Sequence, residues 1–211
     1  MLNPMNKNDL RLYFIYGSGN GNVQRSLDVI EQALQSGITL FQMREKGDGA
    51  LAGKALKEFA LTVKDMAALH DVPFIINDDV ELAMAVQADG IHLGQDDMRP
   101  GALPDYFDNK IVGLSVRDGA ELAASDLGNV DYIGTGPIFP TLSKDDAGEA
   151  TGVSGLKSMR DKIGELPMVA IGGITENNYH ECIENGADGI AVISAISEAD
   201  DVPRTIRNFL E

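Results

Sequence analysis

The sequence has no tryptophan, and aromatic residues of all kinds make up only 6% of it. Surfaces that stack the bases of single-stranded nucleic acid are built from such rings, so that class of partner is not expected. Cations are scarce as well: 17 Lys and Arg stand against 33 Asp and Glu, a formal net charge of −16. A negative field of this size repels nucleic acid and anionic lipid alike. The one cysteine, Cys182, excludes an intrachain disulfide and fits a reducing compartment. It stands in the apolar-periodic stretch 179–183 beside no evident base, the setting of a buried helix residue and not of a nucleophile. No apolar run approaches the roughly 20 residues of a membrane span, and residues 1–9 contain no apolar segment of the signal-peptide kind. These features predict a cytoplasmic protein with a short flexible tail over residues 1–9.

The shortage of positive charge makes the remaining cations informative. An anionic ligand requires a few of them to be gathered in one place, against the overall field. Arg and Lys residues close to strand ends and glycines are therefore the ones to follow.

What the chain does have is a regular alternation. Short β-rich apolar runs at 12–16, 38–44, 73–77, 90–93, 110–115, 131–134, 167–171 and 189–193 are separated by helically spaced segments. The helical segments are 23–35, about 50–69, 80–86, 118–127, about 154–163, 176–185 and a last one through Leu210. Eight β–α units with short connections and no composition break predict one (β/α)8 barrel, an α/β fold, over residues 1–211. An open doubly wound sheet is disfavoured because no Gly-x-Gly-x-x-Gly follows the first strand. Three strand entries share an aspartate, at 87–90, 129–132 and 186–189, and are read as tight-turn chemistry at the barrel floor.

In such a barrel the chemistry sits at the carboxyl ends of the strands. Gln42, Arg44 and Lys46 alternate along the second strand and so share its inward face. Two cations pointing into one crevice repel unless an anion lies between them, and Arg and Lys are the phosphate-binding side chains. The competing reading pairs them with Glu45 and Asp48 on a solvated strand end. Asn77 and Asp78 end the third strand, and Asp97 follows the fourth. Two carboxylates on neighbouring strands suit Mg²⁺, which completes its shell with water and phosphate oxygens. Taken singly, Asp78 reads as a cap for the helix at Val80, and Asp96 or Asp97 as a turn cap. Ser115 ends the fifth strand. Gly172 and Gly173 follow the seventh and Ile193-Ser194 the eighth, where phosphate sites of such barrels lie. The loop 134–144 combines a stiff Gly-Pro-Ile-Phe-Pro start with Thr141, Ser143 and Lys144, a set able to clamp a second anion, and 145–151 suits a lid. His70, His92 and His180 form no ligand cluster, and His92 reads as a packed core residue.

Together, segments 42–46, 76–78, 88–97, 113–116, 134–144 and 170–174 resemble the thiamine-phosphate synthase family, in order and spacing over nearly the whole chain. The resemblance implies that a hydroxymethylpyrimidine pyrophosphate is joined to a thiazole ethyl phosphate with Mg²⁺ assisting. Thiamine phosphate and pyrophosphate would be the products. It places Gln42, Arg44, Lys46, Asn77, Ser115 and Lys144 on the pyrimidine pyrophosphate, with Arg44, Lys46, Ser115 and Lys144 acting in catalysis. Asp78 and Asp97 would take Mg²⁺, and Thr141, Ser143, Gly173, Ile193 and Ser194 would hold the thiazole phosphate. Ser143 departs from the family's usual Thr, Asp79 stands where many members carry Arg, and the turn 17–20 is atypical. Partners are small phosphorylated molecules, not nucleic acid or membrane; the oligomeric state is open, a homo-oligomer included. Two other readings remain. A thiazole tautomerase on the same barrel tends to lose the Gly-Pro-Ile-Phe-Pro-Thr loop, which is present here. A non-catalytic thiamine-phosphate sensor predicts loss of a metal or pyrophosphate residue, and none is missing.

Overall fold

The computed structural model describes residues 5–19, 22–141 and 148–211. Eight strands run in parallel: β1 (Leu12–Tyr16), β2 (Leu40–Met43), β3 (Phe74–Asn77), β4 (Gly90–Leu93), β5 (Ile111–Ser115), β6 (Tyr132–Thr135), β7 (Met168–Ile171) and β8 (Gly189–Val192). Each pairs with the next, and β8 returns to β1, so the sheet closes into the expected barrel. Around it lie α1 (Val23–Ser36), α2 (Gly53–Leu69), α3 (Val80–Val86), α4 (Gly119–Ala124), α5 (Gly152–Ile163), α6 (Tyr179–Glu184), α7 (Ser194–Ser197) and α8 (Val202–Leu210).

Two elements differ from the sequence expectation, each for a local reason. The last helix is two. Asp201 accepts the Arg204 N–H over 3.0 Å, and Pro203 stands in the first turn, so a new helix starts there. The carboxyl-terminal part of the segment 118–127 is not helical, because α4 ends at Ser125, whose hydroxyl turns back to the Glu121 carbonyl at 2.8 Å. The end of the expected tail over residues 1–9 has local structure. Residues Lys7–Leu10 form a 3-10 turn closed by reciprocal bonds between Asn6 and Asp9. Leu10 is fully buried there and plugs the barrel floor.

The strands are buried on both faces, which is why they read as nearly continuous apolar runs. Phe14, Phe41, Phe74 and Ile133 face the helices. Tyr13, Ile15, Leu40, Ile75, Tyr132, Val169 and Ala191 fill the interior with Leu10. Large inward rings need small neighbours. Gly113 pairs in register with both His92 and Tyr132, and a Cβ there would lie 2.5 Å from His92 Nδ1.

The repeated aspartates have a defined task. Asp89, Asp131 and Asp188, each one residue or so ahead of an even-numbered strand, accept the first or second amide of the odd strand before it. The bonds are Phe74 N–H to Asp89 at 2.9 Å, Val112 N–H to Asp131 at 2.8 Å and Met168 N–H to Asp188 at 2.9 Å. Thr39 does the same for Leu12 through its hydroxyl, at 2.9 Å. In each case the main chain of the clamping residue also donates back to the clamped one. The barrel floor is thus held by four side-chain clamps, and Asp188 further pairs with Arg160 and Lys7.

Replacing Asp188 by Ala leaves the Met168 amide and the partly buried Arg160 guanidinium without their carboxylate. The unfolding free energy measured by urea denaturation is expected to fall by about 2–3 kcal/mol. Turnover at the far end of the barrel should be unchanged at a temperature where the variant is folded.

Candidate active site

At the carboxyl ends of the strands lies a cavity of about 1090 Å³. Arg44, Lys46, Asn77, Asp78, Asp97, Ser115, Thr141, Gly172, Gly173, Ile193 and Ser194 all line it. The sequence expectation therefore holds for the convergence of these residues. Gln42 is different: it is 1% exposed, absent from the lining, and directs its amide Nε2 at Tyr13 Oη from 2.5 Å. Ser143 and Lys144 lie outside the described residues.

The cationic wall comes from the end of β2. The Arg44 amide still donates to the Tyr16 carbonyl at 2.9 Å, which carries the β1–β2 ladder one residue further and brings Arg44 to the rim. Lys46 forms an ion pair with Asp78, not with Glu45 or Asp48. Glu45 is occupied elsewhere, accepting the Ser18 amide at 2.7 Å, the Ser18 hydroxyl at 2.5 Å and the Leu51 amide at 2.7 Å. The atypical turn after β1 thereby acquires a purpose, since Ser18 anchors the carboxylate that fixes the loop after β2.

Asp78 and Asp79 are neighbours with opposite tasks. Asp79 is the cap of α3 and accepts the Leu82 amide at 2.8 Å, which frees Asp78 from the capping role that its position alone suggested. Asp78 takes a left-handed backbone, φ 60°, a conformation that is uncommon and costly away from glycine. Its amide donates to the His92 carbonyl at 2.9 Å. On β4's loop, Asp97 accepts the Gly94 amide at 2.7 Å, so the turn-capping reading holds in part. Its carboxylate also faces Asp78. The Asp78 carboxyl is raised above its ordinary value, first by burial and then by the hydrogen-bonding Asp97 carboxyl, with Lys46 opposing. Among the described residues no group of three or more His, Cys, Asp or Glu converges. Two close carboxylates are nevertheless the protein share that a hard divalent cation takes when water and phosphate oxygens supply the rest.

The opposite wall is built from backbone. Gly172 and Gly173 have φ 97° and 65°, and their added Cβ atoms would meet Pro137 Cβ at 2.5 Å and the Pro140 carbonyl oxygen at 2.6 Å. Only glycine fits both the dihedral and the space. The loop after β6 is zipped onto this turn, with Ile138 N–H to Ile171 O at 2.9 Å and Phe139 N–H to Gly172 O at 3.0 Å. Thr151 and Gly152 return to Pro137 and Ile138 at 2.8 and 3.0 Å, so the base of the loop is fixed from both sides.

Among the lining residues that the sequence reading did not mark as part of the site are His92, Arg117 and Glu121. His92 borders the cavity and is not merely packed: its Nε2 is 2.9 Å from Ser115 Oγ and its Nδ1 is 3.0 Å from Tyr132 Oη. Its position on the inward side of β4, opposite Asn77 and Gly113 in register, was the available signal. Arg117 and Glu121 also reach the rim, paired at 3.3 Å. They stand where helix propensity begins, and nothing in their spacing distinguishes them from a surface pair.

The whole arrangement has relatives. The family model for thiamine monophosphate synthase matches residues 12–196. A thiamine-phosphate synthase of Streptococcus suis is 51% identical over 197 residues, covering 93% of this chain and 86% of that one. Thiamine-phosphate synthase 1 of Streptococcus pneumoniae is 45% identical over 202 residues, covering 96% and 97%. Among solved structures, thiamine phosphate pyrophosphorylase from Pyrococcus furiosus superposes with a TM-score of 0.85 at 33% identity, covering 97% of this chain and 95% of that one. Matched across nearly its full length in sequence and in fold, the chain belongs to the thiamine monophosphate synthase family.

Proposed function

We propose that the cavity joins a hydroxymethylpyrimidine diphosphate to a thiazole ethyl phosphate, giving thiamine phosphate and pyrophosphate. The enzyme is then a transferase of thiamine biosynthesis, as its family is. One observation carries the residue assignments: Arg44, Lys46, Asp78 and Asp97, scattered in sequence, converge on one cavity opposite the Gly172-Gly173 turn and Ser194. The first group fits a diphosphate with its counter-cation, the second a monophosphate, and the space between them takes two small rings.

Arg44 and Lys46 hold the diphosphate, with Asn77 and the Ser115 hydroxyl beside them, and the family resemblance adds Lys144 to this set. As the bond from the methylene carbon to the diphosphate oxygen breaks, negative charge grows on the leaving group, and these donors stabilise it. The aminopyrimidine ring spreads the positive charge left on the methylene, and the thiazole nitrogen attacks that carbon. No strong general base is required. Much of the rate comes from holding the two rings in line, a task for Thr141, Ser143, Gly173, Ile193 and Ser194 around the thiazole phosphate. Gln42 sits below the cavity floor, so its part is played through Tyr13. Asp78 and Asp97 would hold Mg²⁺, whose chemistry when bound is to neutralise charge on the departing diphosphate. The raised Asp78 carboxyl fits this use, since a cation between two crowded carboxylates relieves their repulsion. No helix among the described residues is long and apolar enough to cross a membrane, and a cytoplasmic location fits the proposed reaction.

Three outcomes are expected. Pyrophosphate release, followed by a coupled phosphate assay, requires both substrates and Mg²⁺ together; tautomerisation of the thiazole without release, or product binding without turnover, would overturn the reading. Asp78→Ala abolishes turnover while thiazole phosphate binding, measured by calorimetry, persists. In contrast, Asp79→Ala lowers stability by about 1 kcal/mol through loss of the α3 cap and leaves KM for the pyrimidine substrate unchanged.

The pH dependence has a definite sign. A carboxyl raised in the folded state adds stability below its unfolded pKa of about 4, and that contribution is lost as pH rises through the raised value. Bound Mg²⁺ offsets the loss. The increase in Tm on adding Mg²⁺ should therefore grow from pH about 4 toward neutrality, and the growth should vanish in Asp78→Asn.

A further inference from the structure

Beneath the cavity, polar side chains form a single file through an otherwise apolar barrel. Gln42 Nε2 donates to Tyr13 Oη at 2.5 Å, Tyr13 Oη lies 2.9 Å from Tyr132 Oη, and Tyr132 Oη lies 3.0 Å from His92 Nδ1. His92 Nε2 then reaches Ser115 Oγ at 2.9 Å. Gln42, Tyr13, Tyr132 and His92 are buried, while Ser115 opens onto the cavity. Hydroxyls and amides in such a place are costly unless satisfied, and ordinary barrel layers are filled with branched aliphatic residues. The seat is also reserved. Gly113 is the one residue type that leaves the Tyr132–His92 contact open, and a Cβ at Gly134 would stand 3.3 Å from His92 Cε1.

We propose that this file fixes the direction of the Ser115 hydroxyl, making His92 a positioning residue that turns the serine proton into the cavity. The inference rests on the proposed reaction for the identity of the acceptor, the diphosphate-bearing substrate, and on proton counting for its direction. An amide N–H of Gln42 can only donate, so Tyr13 oxygen accepts. Tyr13 has one proton, and its other partner among the described residues is Tyr132. Tyr132 oxygen accepts it and passes its own proton toward His92 Nδ1. A ring that accepts at Nδ1 carries its proton on Nε2, and this N–H donates to Ser115 Oγ. The serine oxygen is then an acceptor on the protein side, and its O–H is left for the substrate. Burial raises both phenols well above their ordinary value, which keeps them protonated and able to relay. Reversed, the same file would make Nε2 an acceptor and Ser115 a base-activated nucleophile, a role for which the alkyl transfer has no use.

The test is nitrogen-15 NMR of histidine-labelled enzyme, with the His92 signals identified by their loss in His92→Gln. The wild type should show a proton on Nε2 and a bare Nδ1. Gln42→Met removes the donor at the head of the file, and Tyr132→Phe the donor to Nδ1; each should introduce the Nδ1-protonated tautomer. Each should also lower kcat/KM for the pyrimidine substrate by about tenfold or more, below the roughly 100-fold expected for Ser115→Ala. In a Ser115→Ala background neither should lower it further, because the group they orient is gone. A wild-type ring protonated on Nδ1, or on both nitrogens, would overturn the proposal, as would full additivity with Ser115→Ala. If one variant does not fold, the other carries the comparison. Failure of the wild type to release pyrophosphate, with the stated tautomer observed, would sink the reaction and leave the direction of the file standing.

Discussion

The site depends on a repulsion that the fold enforces. Asp78 is held in a left-handed backbone beside Asp97, both partly withdrawn from water, inside a molecule of net charge −16. Burial and the neighbouring Asp97 make the Asp78 carboxyl reluctant to ionise, and Lys46 offsets only part of that cost. In the proposed reaction, a cation and an anionic ligand arriving as a pair would relieve it. In a molecule so poor in positive charge, Arg44, Lys46 and Arg117 on the wall of one cavity stand against the overall field.

That division of labour follows the strand direction. The carboxyl ends carry crowded charge, a left-handed aspartate and two glycines wedged against a proline-rich loop. The amino ends carry satisfied groups: amides clamped by Asp89, Asp131, Asp188 and Thr39, and Leu10 sealing the floor. Tension at one end is tolerated because the other end has almost none.

Much of this was legible from residues alone. The alternation of apolar runs and helical spacing predicts the barrel, because both faces of a parallel strand must be buried and the connections must be short. Position just after each run picks out Arg44, Lys46, Asp78, Asp97, Ser115 and Ser194, since the barrel places those positions on one rim. Other features depend on three-dimensional neighbours that spacing does not encode. Which of Asp78 and Asp79 caps α3 is decided by one backbone dihedral. Whether Gln42 meets the cavity or the core is decided by how far down β2 it stands, and inward parity alone cannot tell a rim residue from one in the layer below. His92 looked like packing because its partners, Tyr132 and Ser115, lie 40 and 23 residues away. The plug at Leu10, just after the predicted tail, was not legible because that residue finds its burial against strands far from it in sequence.

The clamps at the floor have a consequence for how the barrel comes apart. Each ties β1 to β2, β3 to β4, β5 to β6 or β7 to β8, over chain separations of only 15 to 27 residues. Across the four intervening seams the corresponding bonds are main-chain only, among them Phe41 N–H to Pro73 O and Ile133 N–H to Pro167 O. At the floor, parting a tied pair strips an oxygen ligand from a sheltered amide, whereas parting a seam breaks main-chain bonds; the side-chain ties of two seams, Lys46–Asp78 and His92–Ser115, lie at the other end. The floor of the ring is therefore divided into four two-strand quarters, and slow exchange of the floor amides would follow the quarter to which a strand is tied.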